Sequence, residues 1–289
     1  MRSLLFVPAT APHFLEKAAQ RGADAIILDL EDSVVPQRKQ EARERAPDAA
    51  LRLSGEGATV GLRVNAAEEL WRLDLAHAAL APAGTISLVM LPKVHGPEQL
   101  LMFVQELERL FSRGGDRAVP AIAAVLESPR AILNAAAIAR SSDRLQALGF
   151  GAEDYCTALG IEPDPEVLAW SAQHVITAAH AHGLECWGLA AGVVEIADLQ
   201  RYEHEVLRAR ALGFTGSVAV HPAQIPVLNR CFSPSPTEVA WARRVVRAYQ
   251  QSSAAGAGAA MLDGRMIDQP IVERAQRYLE WGEPAGPRA

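Results

Sequence analysis

Short apolar runs alternate with amphipathic stretches along most of the chain, and a polar tip follows nearly every run. Eight of the runs predict buried strands, because they are too short for helices and end at Gly, Pro or charged residues. They cover residues 3–7, 25–30, 59–64, 86–91, 120–126, 144–150, 184–189 and 216–220. The stretches between them predict helices at 12–21, 37–50, 68–80, 97–111, 129–140, 165–182 and 194–212.

This alternation predicts an α/β protein whose residues 1–232 form a (β/α)8 TIM barrel. An open doubly wound sheet is the alternative fold. It would need a phosphate-binding glycine turn after the first strand, and the sequence VPATAP supplies none. The barrel prediction places polar strand tips on one face, where barrel enzymes carry their active sites.

The remaining residues, 233–289, predict a C-terminal extension of helices and a mobile flap. A helix at 237–251 is followed by the small-residue segment SSAAGAGAA at 252–260, then by 261–270 and a last helix ending at Trp281. The small residues are typical of a flexible hinge. The alternative interpretation is a surface turn and tail.

Composition narrows the class of protein. The chain has 289 residues, of which 49% are hydrophobic, and a net charge of −6, which argues against a sequence-independent nucleic-acid binder. Its three cysteines, Cys156, Cys186 and Cys231, share no metal-type spacing and predict reduced thiols in the cytoplasm. No stretch has the length of a signal h-region or a membrane span, so no membrane partner is expected.

Acidic side chains follow two adjacent predicted strands. Glu127 ends the fifth strand, and Glu153 and Asp154 follow the sixth within LGFGAEDY. Two carboxylates at the same end of neighbouring parallel strands fit a Mg²⁺ site that keeps open positions, although solvated surface acids are the alternative. The stretch alone does not distinguish Glu153 from Asp154.

Other tips add charged groups to the same rim. Glu31 and Asp32 follow the second strand, beside Asp29, and fit acids that hold the waters around a metal ion. Arg63 fits a carboxylate or an oxygen that gains enolate charge, with an ion pair on the rim as the alternative. His221 fits a hydrogen-bonded core position better than a role in the site.

Eight motifs occur in an order that resembles one known family. They are RSLLFVPA, DLEDSV, RVN, LPKV, LESPRAILNAAAIA, GFGAEDYCTALG, AVHPAQI and GRMIDQP. The chain is similar over nearly its whole length to the citrate lyase beta-subunit family of the HpcH/HpaI aldolase and citrate lyase superfamily, which includes malyl-CoA and citramalyl-CoA lyases. The resemblance implies a Mg²⁺-dependent barrel enzyme, with Mn²⁺ as an alternative ion.

The resemblance also implies roles for individual residues. Glu127 and Asp154 resemble the metal ligands, and Glu31 and Asp32 the acids behind them. Arg63 resembles the residue that holds the thioester or enolate oxygen, and Asp268 resembles an acid that a neighbouring subunit's flap delivers. Coenzyme A phosphates are expected near Arg2 and Lys93.

The implied reaction cleaves or forms a 3-hydroxyacyl-CoA thioester of the malyl, citramalyl or citryl type, giving a 2-oxo acid and an acyl-CoA. The expected partners are therefore these small molecules and further copies of the chain, as a trimer or hexamer, since a flap acting across subunits needs a neighbour. Two alternatives stay open. One is a malyl-CoA thioesterase, and the other is the beta subunit of a citrate lyase complex that acts on a substrate bound to an acyl carrier protein.

Overall fold

The computed structural model describes residues 1–112, 119–192, 196–254 and 256–282. These residues fall into two compact units, within Met1–Asn229 and Arg230–Ala289. No helix in these ranges is both long enough and apolar enough to cross a membrane.

The first unit contains eight parallel strands. They are β1 (Ser3–Pro8), β2 (Ala25–Asp29), β3 (Val60–Arg63), β4 (Leu88–Leu91), β5 (Ala121–Leu126), β6 (Leu145–Phe150), β7 (Glu185–Gly188) and β8 (Ser217–Ala219). Each strand pairs with the next from β1 to β7, and β8 pairs with β1. A parallel bridge between Trp187 and Gly216, with Gly188 N–H donating to the Gly216 carbonyl at 3.0 Å, joins β7 to β8. The ring confirms the predicted (β/α)8 barrel.

Helices surround the strands of this unit. They are α1 (Pro12–Ala18), α2 (Lys39–Gly55), α3 (Glu68–Ala78), α4 (Pro97–Phe111), α5 (Pro129–Leu133), α6 (Ala135–Ala139), α7 (Ala152–Leu159), α8 (Pro165–Ala181), α9 (Leu199–Leu212) and α10 (Ile225–Cys231). Apolar helix faces cover the outside of the barrel, as where Trp71 of α3 meets Phe103 of α4 edge to face at 5.1 Å. The first residues of the predicted helix 194–212 lie outside the described residues.

Two sequence-based predictions of helices are wrong in detail. The predicted helix at 129–140 is divided into α5 and α6 at Asn134, whose φ of −96° and ψ of 3° depart from helical values. Its Nδ2 donates to the His95 carbonyl at 2.9 Å. The stretch after β6, for which the pattern predicts no helix, is helix α7. Glu153 and Asp154 lie in its first turn, where carboxylates favour a helix N-terminus.

The barrel interior is closed at its centre by apolar side chains from alternate strand positions. Leu4, Ala25, Ile27, Leu88, Met90, Ala123, Ala147 and Trp187 form this buried cluster. Because successive side chains of a strand point to opposite faces, the inward column of β5 runs from Ala123 through Val125 to Glu127. The fold thus carries Glu127 to the carboxyl-terminal mouth of the barrel.

The second unit contains α11 (Pro236–Ala254), a hairpin of β9 (Ala260–Leu262) and β10 (Arg265–Ile267), and α12 (Gln269–Gly282). Its core is made by Ala242, Val245, Ala260, Ile267, Val272 and Ala275. The hairpin turns at Asp263 and Gly264, whose φ angles of 52° and 75° suit a tight two-residue turn. The mobility expected of this flap stays a prediction.

Candidate active site

Glu127 and Asp154 lie together at the mouth of the barrel. β5 and β6 pair in register up to Leu126 and Phe150, so Glu127 comes opposite Gly151. A Cβ atom on Gly151 would lie 2.7 Å from the Glu127 Cβ and closer still to its Oε2. The absence of a side chain at residue 151 therefore makes room for the Glu127 carboxylate, and Asp154 follows three residues later on α7.

The Glu127 carboxyl group is electrostatically unfavourable in its charged form. Burial, followed by the negative charge of Asp154, raises the pKa of Glu127 to about 8. The Lys93 backbone N–H opposes this shift by donating to Glu127 Oε1 at 2.6 Å. A buried carboxylate held against a second one is a place where a divalent cation would relieve the repulsion.

The donor set fits magnesium. Hard carboxylate oxygens are its preferred protein ligands, and Mg²⁺ usually takes one or two of them while keeping several waters. Among the described residues, no group of three or more His, Cys, Asp or Glu side chains has the arrangement of a metal site. Two carboxylates with open positions therefore match magnesium better than the closed multi-ligand sites of zinc.

Arg63 is fixed beside this pair by three contacts. Its Nε and Nη2 donate to the two Asp29 oxygens at 2.7 Å each, and Nη1 lies 3.0 Å from Glu31 Oε2. Its guanidinium also covers the Phe6 ring, 4.4 Å from the centroid. Burial alone would lower the pKa of Arg63, but the hydrogen bonds and charge of Asp29 outweigh it and raise the pKa.

Asp29 holds Arg63 in place, a contact that the sequence alone does not predict. It is wholly buried, and the Arg63 hydrogen bonds and charge outweigh burial and hold its pKa below the usual range. Asp29 and Arg63 are also direct partners in the register between β2 and β3. The signal available in the sequence is that an acid and an arginine lie near the ends of two adjacent predicted strands.

Glu31, Asp32 and Lys93 form a charged group next to Arg63. Lys93 Nζ lies 3.0 Å from Glu31 and 3.7 Å from Asp32, and Lys93 takes a left-handed φ of 53°. Burial raises the pKa of Glu31 to about 7 even though Arg63 and Lys93 oppose the shift. Lys39 Nζ holds the loop by donating to the carbonyls of Leu30 and Glu31 at 2.7 and 2.5 Å.

The remaining candidates lie elsewhere. Arg2 precedes β1, at the opposite end of the barrel strands, where it pairs with Asp24 at 2.6 Å. Asp268 lies in the second unit at the start of α12, and its Oδ1 is buried with no hydrogen-bond partner among the described residues. His221 is exposed and accepts from the Ala223 N–H at 3.2 Å, so the core position expected for it is wrong.

A cavity of about 280 Å³ opens beside Glu127, Asp154 and Arg63. Its charged lining consists of Asp32, Arg63, Glu127, Glu153 and Asp154. Apolar residues form most of the remaining wall, including Phe6, Met90, Ala123, Val125, Trp187, Val218 and Val220. Glu153 also lines a neighbouring cavity with Glu162 and Arg201.

The fold and site define a (β/α)8 barrel with a cluster of acidic side chains at its carboxyl-terminal mouth. The chain belongs to the HpcH/HpaI aldolase/citrate lyase family, whose model matches residues 2–222. This membership confirms the predicted family and the prediction of a lyase.

Named relatives match nearly end to end. The citrate lyase subunit beta of Escherichia coli K12 is 31% identical over 99% of this chain and 95% of the relative. The L-malyl-CoA/beta-methylmalyl-CoA lyase of Rhodobacter capsulatus is 28% identical over 98% of this chain and 95% of the relative.

A solved structure is similar in fold as well as in sequence. The protein CitE from Mycobacterium tuberculosis, in complex with magnesium, acetoacetate and coenzyme A, is 29% identical and has a TM-score of 0.76. The match covers 98% of this chain and all of that one.

Proposed function

We propose that the protein is a Mg²⁺-dependent carbon–carbon lyase that cleaves or forms a 3-hydroxyacyl-CoA thioester of the malyl, citramalyl or citryl type. Its products would be a 2-oxo acid and an acyl-CoA. The observation that carries the proposal is the Glu127 and Asp154 pair, which shares one cavity with a preorganised Arg63. The Mycobacterium structure with magnesium and coenzyme A supports the same ligand classes.

Glu127 and Asp154 would hold the ion, with Mn²⁺ as an alternative to Mg²⁺. When bound, the ion supplies Lewis-acid polarisation of the substrate oxygens and neutralises the two carboxylates. The Lys93 backbone N–H keeps Glu127 oriented into the cavity. We assign Glu31 and Asp32 to the hydration shell of the ion, since both acids follow β2 at the same mouth.

Arg63 would stabilise the charge that develops on the thioester oxygen. Cleavage begins with loss of the 3-hydroxyl proton to solvent, and the hydroxyl oxygen becomes the ketone oxygen of the 2-oxo acid. The electron pair of the broken carbon–carbon bond passes to the acyl fragment, so the thioester oxygen gains enolate charge. A guanidinium has five N–H donors, and Asp29 accepts hydrogen bonds from two of them. The Nη1 group, which faces Glu31 as an ion pair at 3.0 Å, has N–H donors for the substrate that are held in place before the charge appears.

Asp268 would move the proton at the acyl carbon. Cleavage requires a proton to be added to the enolate carbon, and condensation requires its removal. Asp268 lies between the β9–β10 hairpin, which is the flap expected to close over the site, and the first residue of α12. We propose that this flap acts across subunits of a homo-oligomer. The phosphates of the coenzyme would lie near Lys93. Arg2 has no part in the site, because it lies at the other end of the barrel strands.

A panel of malyl-, citramalyl- and citryl-CoA, assayed with and without Mg²⁺, tests the function. A lyase releases 2-oxo acid and acyl-CoA in equal amounts, detected as the hydrazone and by chromatography. Free coenzyme A thiol in place of acyl-CoA would instead identify the thioesterase alternative.

The subunit alternative is favoured by the citrate lyase beta relative at 31% identity. An isolated chain that ignores all three CoA thioesters but cleaves a citryl group on an acyl carrier protein would identify that function.

A further inference from the structure

The space next to the carboxylate pair extends toward the centre of the barrel. Val125 lies two residues before Glu127 on the inward column of β5, roughly 6–7 Å deeper at 3.3 Å per residue. Both residues line the cavity, as does Ala123 two residues further in. Part of any substrate held at Glu127 and Asp154 therefore faces this deeper wall.

The neighbouring strand creates the space. The inward positions of β6 and its tip are Ala147, Gly149 and Gly151, which carry at most a methyl group. A Cβ on Gly149 would lie 3.3 Å from Val125 Cγ2, so the Val125 side chain packs against the Gly149 backbone. We call the part of the cavity beside these small residues and Val125 the recess.

The recess offers no partner for a further negative charge. Arg63 is the sole cation among the described residues that line the cavity, and Asp29 and Glu31 already hold it. Lys93 is paired with Glu31 and does not line the cavity. The indole N–H of Trp187 donates to Glu185 Oε2 at 2.8 Å, away from the recess.

The three substrate types differ at one position only. The carbon that bears the hydroxyl carries hydrogen in malyl-CoA, methyl in citramalyl-CoA and a carboxymethyl group in citryl-CoA. We propose that this recess receives an uncharged alkyl substituent, so that the 2-oxo acid of the reaction carries an alkyl group and not a second carboxylate. The inference rests on the proposed function and specifies its substrate class.

The physical reason is desolvation. A carboxylate placed among apolar side chains without a cation loses its hydration, and the Asp32 and Glu153 carboxylates of the same lining repel it. An alkyl group in the same place is stabilised by removal of its surface from water. A volume of about 280 Å³ is also at the small end of ligand sites, which run from roughly 300 to 1,000 Å³, as suits a short-chain acid.

Binding of two isosteric acids tests the inference without turnover. Oxaloacetate and 4-methyl-2-oxopentanoate have the same heavy-atom skeleton, but a carboxylate in one replaces an isopropyl group in the other. Calorimetry of the protein with Mg²⁺ and coenzyme A should show the alkyl acid binding at least about tenfold more tightly. Equal or tighter binding of oxaloacetate would overturn the inference alone, whereas binding of neither acid would overturn the proposed function with it.

A variant should reverse the preference. Val220 is at the rim of the cavity and 40% exposed, so Val220→Arg adds a cation without burying it. The affinity for oxaloacetate relative to the alkyl acid should rise about tenfold. The matched control is Val167→Arg on α8, which is 60% exposed outside the cavity and should leave the ratio unchanged. An unchanged ratio in Val220→Arg would contradict the apolar recess.

Discussion

Asp29, whose carboxylate has no solvent exposure, accepts two parallel hydrogen bonds of 2.7 Å each from Arg63. The ends of β2 and β3 thereby fix a guanidinium that lines the cavity. We expect Asp29→Asn to destabilise the fold by about 3 kcal/mol, since it removes the bidentate carboxylate partner of the buried Arg63. Denaturant unfolding measures the loss, and steady-state kinetics should show a fall in kcat.

Asp24→Asn is the control for this prediction. Asp24 also pairs with an arginine, Arg2, but at the opposite end of the barrel strands and with more exposure. Its replacement should leave kcat unchanged. Equal loss of kcat in both variants would show that Asp29 acts only through general stability.

Gly151 makes room for the Glu127 carboxylate. Gly151→Ala places a methyl group within 2.7 Å of the Glu127 Cβ, so the carboxylate must move out of its position. We expect weaker Mg²⁺ binding by calorimetry and a matching loss of activity. Gly55→Ala, at the end of α2 with open space around its Cβ position, should bind Mg²⁺ as the wild type does. Wild-type Mg²⁺ affinity in Gly151→Ala would refute the placement of Glu127.

Mg²⁺ affinity should rise with pH. Glu127 has its pKa raised to about 8 by burial and by Asp154, so below that pH it must release a proton to bind the ion. We expect the affinity to rise by up to about tenfold per pH unit between pH ~6 and ~8. Calorimetry in buffers of different ionisation enthalpy measures both the affinity and the released proton.

The raised pKa of Glu127 also predicts how the stability of the metal-free protein depends on pH. A raised carboxyl pKa means that the folded protein holds its proton where the unfolded chain has lost it, so stability falls as pH rises from about 4.5 to about 8. Burial also raises the pKa of Glu31, to about 7. Glu127→Gln should flatten the upper part of this dependence, and an unaltered profile would contradict the shift.

Asp268 should affect proton transfer more than binding. We expect Asp268→Asn to retain binding of Mg²⁺ and 2-oxo acid while losing exchange of the acyl-CoA proton with deuterated solvent, by roughly 10²- to 10⁴-fold. Mass spectrometry of acetyl-CoA measures the exchange. Asp263→Asn, in the same hairpin and paired with Arg244 at 2.5 Å, is the matched control and should exchange normally.

Mixed oligomers test whether the flap acts across subunits. Co-expression of Asp268→Asn with Asp154→Ala should restore part of the activity, because some sites would combine an intact metal pair with an intact flap from a neighbour. No recovery in hybrids shown to form would place Asp268 in its own subunit's site.

The sequence predicts the barrel well because each strand and its polar tip are indicated by a local pattern of residues. Runs such as 120–126 end in a charged residue, and neighbouring parallel strands place those tips at one mouth. The helix α7 was missed because it is only eight residues long and follows the glycines that close β6. The break at Asn134 is a change of backbone angles at a single residue, which the apolar spacing of 129–140 does not indicate.

Side-chain partners in the site were harder to predict than its location. The sequence predicts that Arg63 either binds the substrate or forms an ion pair at the rim. In the structure it forms the ion pair and also lines the cavity. Asp29 received no role, because its importance depends on register between β2 and β3. Lys93 orients Glu127 through its backbone N–H, a contact that side-chain chemistry does not indicate.

The central claim is that Glu127 and Asp154 hold a magnesium ion required for carbon–carbon cleavage. Turnover of citramalyl-CoA should require Mg²⁺, stop on chelation and be abolished in Asp154→Ala. Asp143→Ala should retain turnover, because Asp143 is exposed just before β6, at the end of that strand opposite to Asp154. Wild-type turnover in Asp154→Ala, or cleavage that persists after chelation, would contradict the account.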